Sequence, residues 1–261
     1  MREAMVMSTS GDERRERILH EVMAHGKATV TGLSELLGVT TETIRKDLMT
    51  LGERNVISKR HGFVTLATPM SERDSEKGES LHLAEKTAIA ERAARLIPQD
   101  EAVFLDTSTT VLCLASLLAL RADLTVITNS IDVCQALARS GSKILVTGGL
   151  YRTKSNSCVG SWALRSMESV NVDVAFLGCD GFSPEGPTIR SYQEVEFKRM
   201  VARRAKRTVL LADTSKLGNT GLYTFANYAD FSLMIFEREL NVGERKVLPK
   251  NVALIDAAPP S

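Results

Sequence analysis

Two groups of residues in this sequence combine side-chain types and spacings that can do chemistry. The first lies in GVTTETIRKDL, Gly38–Leu48, where Thr40, Thr41 and Thr43 stand beside the adjacent cations Arg45 and Lys46. Hydroxyls can contact phosphate oxygens or base edges, and Arg or Lys can neutralise a phosphate or grip guanine. Lys59, Arg60 and His61 add positive charge a few residues on. The second group starts after the apolar run AVFLD. Asp106-Thr107-Ser108-Thr109-Thr110 offers hydroxyls and successive backbone amides, which can receive a phosphate when such a loop opens a helix. Glu194 and Lys198 stand four apart, and Lys216 follows Asp213-Thr214-Ser215. Blander roles compete with these. A charge pair at that spacing can be a solvated helix contact worth about 0.2–0.5 kcal/mol, and threonines before a helix can simply cap it.

The elements that must position the first group read clearly. Ile18, Leu19, Val22 and Met23 recur at helical spacing until Gly26, and Leu33, Leu36 and Leu37 do so before Gly38. Thr40 can cap a third helix whose seam is Ile44, Leu48 and Leu51, with Thr41, Thr43, Arg45 and Lys46 outward. Val56, Ile57, Phe63, Val64 and Leu66 favour strands around a His61-Gly62 turn. Three short helices and a hairpin form a winged helix-turn-helix over 13–66, with the third helix placed to enter the major groove of double-stranded operator DNA. The first dozen residues are polar without a period and are expected to be mobile. The stretch ATPMSERDSEKGES, 67–80, is rich in Ser, Glu and Lys and reads as a solvated connection.

From 81 to 258 seven apolar runs, AVFLD, LTVIT, KILVT, VDVAFLG, RTVLLAD, FSLMIF and NVALID, alternate with helical stretches at 111–120, 131–140, 162–170 and 193–206. That alternation predicts a Rossmann-like, mostly parallel α/β domain with both sheet faces covered. Ligands of such sheets bind beyond the carboxyl ends of the strands. The Asp106–Thr110 loop, Asn129-Ser130, Gly148-Gly149 and Asp180 all fall at strand ends. Gly148-Gly149 can equally serve only to turn the chain.

At 261 residues, two unequal domains are the natural division. A hydrophobic fraction of 43% supports folded cores, and a net charge of +1 confines any nucleic-acid footprint to a local patch. The N-terminal text has no apolar core of signal-peptide length and no run is long enough to span a membrane, so a cytoplasmic protein without membrane partners is expected. Cys113, Cys134, Cys158 and Cys179 form no C-x-x-C pair, so core thiols in a reducing compartment are expected, with no metal site and no cofactor.

The stretch from RRERIL to KRHG, with VTTETIRKDL and its basic HG wing, resembles the DeoR family of bacterial transcription regulators. Phe63 stands where the family often has a second wing glycine. The resemblance continues in order through LDTSTT, TNS, VTGG, Val159-Gly160, DVAFLGCDG, QEVEFK and LADTSKLG, with Ser108 where glycine is frequent. It implies a sugar-phosphate-isomerase-like sensor domain that binds a phosphorylated sugar effector and alters DNA affinity. It also implies a repressor of carbohydrate catabolism acting as a homo-oligomer, dimer or tetramer. Carried onto this chain, the effector pocket is lined by Asp106, Thr107, Ser108, Thr109, Thr110, Asn129, Ser130, Gly148, Gly149, Asp180, Glu194, Lys198 and Lys216, with Arg152 and Lys154 as weaker candidates.

Two other functions compete. A sugar-phosphate isomerase or deaminase attached to a DNA-binding domain needs a carboxylate base, for which Asp106, Asp180 and Glu194 are available. However, the four histidines, His20, His25, His61 and His82, lie in the front domain or beside the connection, so no catalytic residue is assigned. A back domain serving only assembly is the third reading, separated from the first by ligand binding.

Overall fold

The computed structural model describes residues 10–54, 56–60, 62–67 and 82–257, the side chain of Arg60 excepted. The expectations for the first nine residues, for His61, for the Arg60 side chain and for the connection at 68–80 lie outside that set. Ser10 and Glu13 close a capping box, so α1 (Gly11–His25) begins inside the stretch expected to be mobile. Next come α2 (Val30–Leu37) and α3 (Thr41–Glu53), joined through Gly38 at φ +65°, a left-handed turn that favours glycine. The antiparallel hairpin of β1 (Ile57–Arg60) and β2 (Phe63–Leu66) completes the winged helix-turn-helix. Its centre is the predicted seam, Ile44, Leu48 and Leu51 buried with Ile18, Leu19, Val22, Met23 and Leu33.

The rest of the chain runs α4 (Leu83–Ala94), β3 (Ala102–Leu105), α5 (Thr109–Leu118), β4 (Thr125–Thr128), α6 (Ile131–Leu137), β5 (Lys143–Val146), β6 (Leu150–Arg152), β7 (Ser157–Val159), α7 (Ser161–Glu168), β8 (Val172–Gly178), β9 (Gly181–Phe182), β10 (Pro187–Ile189), α8 (Tyr192–Arg204), β11 (Ala205–Leu211), β12 (Tyr223–Thr224), β13 (Leu233–Phe236), α9 (Val242–Arg245) and β14 (Leu254–Asp256). All seven predicted runs become strands of one sheet in the order β14-β13-β11-β8-β3-β4-β5, every neighbour parallel. From β3 the chain winds outward to β4 and β5, and from β8 it winds the other way. The switch point therefore lies between β3 and β8.

One face carries α4, α5 and α6, and the other carries α7, α8 and a small sheet β12-β10-β9. Three features depart from expectation. The helix predicted to reach Lys206 stops at Arg204, because Ala205 already pairs with Val172 in the sheet. The small sheet and the β6–β7 hairpin were not foreseen, since strands of two or three residues are too short to display a period. Nor was α4, the helix on which the front domain rests: α1 packs against it, and the apolar residues of both join one continuous core.

Candidate functional site

On the front domain, α3 presents its N-terminal turn outward. Arg45, Lys46 and Lys59 are exposed, and Thr41 and Thr43 are partly so. Thr40 accepts a hydrogen bond from the Thr43 amide at 3.2 Å, and its hydroxyl lies 2.9 Å from that of Thr43. Its first duty is therefore capping. Arg45 pairs with Glu42 on its own helix, at 3.5 Å. The wing turn keeps Gly62 at φ +84°, and Phe63 supplies a ring under Lys27, 4.8 Å from Nζ. The residue that fixes this face was not singled out from sequence. Asp47 is buried on the seam of α3 and accepts hydrogen bonds from Arg14 Nε at 2.5 Å, Arg14 Nη2 at 3.1 Å and Arg15 Nη1 at 3.3 Å. Its signal was present, because an acid three residues after Ile44 interrupts an otherwise apolar stripe and the two arginines lie one helix away.

A cleft of about 410 Å³ opens at the switch point, over the carboxyl ends of β3, β8 and β11. It brings together Thr107, Ser108, Thr109, Thr110, Asp180, Glu194, Lys198 and Lys216 from the predicted set, and both weaker candidates, Arg152 and Lys154. Ser108 caps α5 by accepting from the Val111 amide at 3.2 Å, and Thr109 and Thr110, the first residues of this ten-residue helix, line the cleft at its positive end. Asp106 lies beneath the floor at 1% exposure. It accepts from the Gly178 amide at 3.0 Å and from Lys198 Nζ, which also donates to the Gly178 carbonyl at 2.9 Å.

Lys198 and Glu194 are thus not a solvated pair. Lys198 is 3% exposed, and Glu194 accepts from Arg152 Nη1 at 3.2 Å. Burial works against the Lys198 ammonium, but the charges of Asp106 and Glu194 and the Asp106 hydrogen bond outweigh it and raise its pKa. Asp180 accepts from the Arg190 amide at 2.8 Å. Burial pushes the Cys179 thiol in the cleft wall up to about 12, so it stays protonated at neutral pH.

Five predicted residues do not line the cleft: Asp106, buried beneath its floor, and Asn129, Ser130, Gly148 and Gly149, which lie at other strand ends. Asn129 and Ser130 follow β4, and Gly148 and Gly149 follow the edge strand β5, both one or two strands away from the switch point. They seat the β6–β7 hairpin instead. Asn129 Nδ2 donates to the Cys158 carbonyl at 3.1 Å, and Ser130 caps α6 by accepting from Val133. A Cβ on Gly149, at φ +122°, would meet the Val159 carbonyl oxygen at 2.6 Å. That hairpin carries Arg152 into the cleft, with Lys154 and Ser155 in the turn beyond it.

Sequence reasoning missed Lys86, Ser155, Cys179, Arg190 and Ser191 in the lining. Lys86 had a signal, a cation three residues before Ile89 on the apolar stripe of α4. Arg190 and Ser191 had none, since the short β10 delivers them. Among the described residues of the lining, six cations, Lys86, Arg152, Lys154, Arg190, Lys198 and Lys216, face two carboxylates, so the cleft favours an anion. Among the described residues no cluster could hold a metal ion, and no helix is long and apolar enough to cross a membrane.

Residues 14–70 match the DeoR-like helix-turn-helix domain, and residues 81–238 match the DeoR C terminal sensor domain. An HTH-type transcriptional regulator of Bacillus subtilis, YulB, is 34% identical over 251 residues, covering 95% of this chain and 96% of its own. The HTH-type transcriptional repressor GlcR of the same organism is 34% identical, covering 92% and 93%. A putative aga operon transcriptional repressor of Escherichia coli O157:H7 is 31% identical, covering 88% and 87%. With a winged helix-turn-helix in front, the parallel-sheet body behind it, both family models matched and relatives 34% identical over more than 90% of the chain, the chain belongs to the DeoR family of DNA-binding transcription regulators.

Proposed function

We propose that the chain represses a carbohydrate-catabolism operon and that a phosphorylated sugar held in the switch-point cleft sets its affinity for the operator. The observation that carries this reading is the excess of cations around the open N-terminus of α5. The amides of Thr109 and Thr110 and the hydroxyls of Thr107 and Thr110 receive the phosphoryl group, assisted by Lys86 and Lys216. Asp180 and Glu194, the latter steadied by Arg152, face the sugar hydroxyls. On the DNA side, Thr41, Thr43, Arg45, Lys46 and the wing cations from Lys59 to His61 contact the duplex. The relatives GlcR and the aga repressor, by their names, are repressors, which supports the direction of control.

The site serves binding and not turnover. Each carboxylate that could act as a base is engaged: Asp106 by Lys198 and the Gly178 amide, Asp180 by the Arg190 amide, Glu194 by Arg152. A single reading helix per chain suits a homodimer, or a tetramer of two such dimers, on two-fold symmetric half-sites. A DNA reader with four free thiols fits the cytoplasm. Thermal unfolding with a panel of sugar phosphates and the parent sugars tests the proposal. A ligand present at a hundred times its Kd stabilises the folded state by about 2.7 kcal/mol. At least one phosphorylated sugar should raise Tm while its parent sugar does not. No rise with any of them sinks the reading.

A further inference from the structure

The front domain is not hung from the body by the chain connection alone. Ile18, Leu19 and Val22 of α1 lie in the same apolar cluster as Ile89, Ala90 and Ala93 of α4, all at 0% exposure. Polar contacts stitch the margin. His20 Nε2 lies 3.0 Å from Glu91 Oε1, Arg54 Nη1 donates to the Leu120 carbonyl at 3.3 Å, and Arg139 Nη1 donates to the Glu53 carbonyl at 2.7 Å. The last two hold the C-terminal end of α3, the helix proposed above to contact DNA. The first turn of the same α4 carries Lys86, 8% exposed, into the wall of the anion cleft. One helix of twelve residues therefore touches the cleft at its start and the DNA-binding domain along its length.

We propose that α4 is the element through which the cleft controls the reading head: occupancy repositions Lys86, α4 moves as a rigid rod, and α1 with α3 is reseated on the body. Close-packed interfaces have discrete arrangements and transmit small shifts. The coupling consequently does not need the chain between Ala67 and His82 beyond its length. The inference rests on the effector reading of the cleft and adds the route by which that site is read.

The test uses the full chain, with glucose 6-phosphate, fructose 1-phosphate, glucosamine 6-phosphate and inorganic phosphate as probes. Amide hydrogen exchange is compared with and without each probe that raises Tm, in the natural chain and in a variant whose residues 68–81 are a Gly/Ser segment of equal length. The expected result is altered exchange in α4, α1 and α3 as well as in the cleft loops, retained in the Gly/Ser variant. Affinity for DNA from the chain's own promoter should change by about 5- to 150-fold on adding that probe, again in both proteins. Glu91→Gln, which removes one charge at the α1–α4 margin and is mild enough to fold, should shrink that ratio while leaving the rise in Tm. Exchange changes confined to the cleft loops, or absent from α4, α1 and α3 in the Gly/Ser variant, overturn the proposal and leave the cleft reading standing. If no probe raises Tm, the cleft reading fails and this proposal with it.

Discussion

Replacing Lys198 with Met leaves Asp106 as a buried carboxylate whose counter-ion is gone, with the Gly178 amide as its remaining donor to Oδ2. Breaking a buried pair from one side costs about 3–5 kcal/mol. Urea unfolding should register that loss, and Asp106→Asn in the same chain should recover much of it. The raised pKa of Lys198 also has a sign. The folded state holds its proton more tightly than the unfolded chain, so the contribution is complete below the ordinary value of 10.5 and disappears as pH climbs through the higher folded value. The alkaline limb of stability against pH should therefore flatten in Lys198→Met. A second residue-scale relation joins two loops. A Cβ on Gly178 would overlap the Ser108 side chain. Gly178→Ala is expected to cost about 1–3 kcal/mol by overpacking, and Ser108→Gly should relieve it apart from a small loss of capping. A double-mutant cycle that comes out additive would contradict this contact.

At the scale of elements, α3 divides its duties between two faces. Asp47→Asn removes the charge that Arg14 and Arg15 grip from α1, and a loss of about 3 kcal/mol is expected from the partly buried network. Heat denaturation should show it at any salt concentration. Arg45→Ala with Lys46→Ala should leave Tm nearly unchanged, because both side chains are exposed, yet weaken DNA binding and reduce the salt slope by about one for each phosphate no longer neutralised. Should the double alanine variant bind with the original slope, α3 does not meet the phosphates. The outward face was legible because Ile44, Leu48 and Leu51 mark the inward one. Asp47 was not read, since a charge on a stripe becomes meaningful only when the opposite helix is known to present arginines.

For the whole molecule, the shared core of α1 and α4 implies that the front domain and body melt as one. Calorimetry of the full chain should give a single transition whose van't Hoff and calorimetric enthalpies agree, and two separated transitions would contradict a shared core. The sequence by itself determined the order of the elements, the third helix of the front domain with its outward face, the seven parallel strands and the Thr107–Thr110 loop that enters α5 at the cleft. Helical and strand periods are local, and glycine and capping residues mark their ends. Only the tertiary structure decided which strand ends meet. It put the cleft at the switch between β3 and β8, gathered Lys86, Arg190 and Ser155 there from distant parts of the chain, and left Asn129, Ser130, Gly148 and Gly149 to brace a hairpin. Strand order, and with it the distance between two loops that look equivalent along the chain, depends on pairings between segments dozens of residues apart, and no local pattern encodes those.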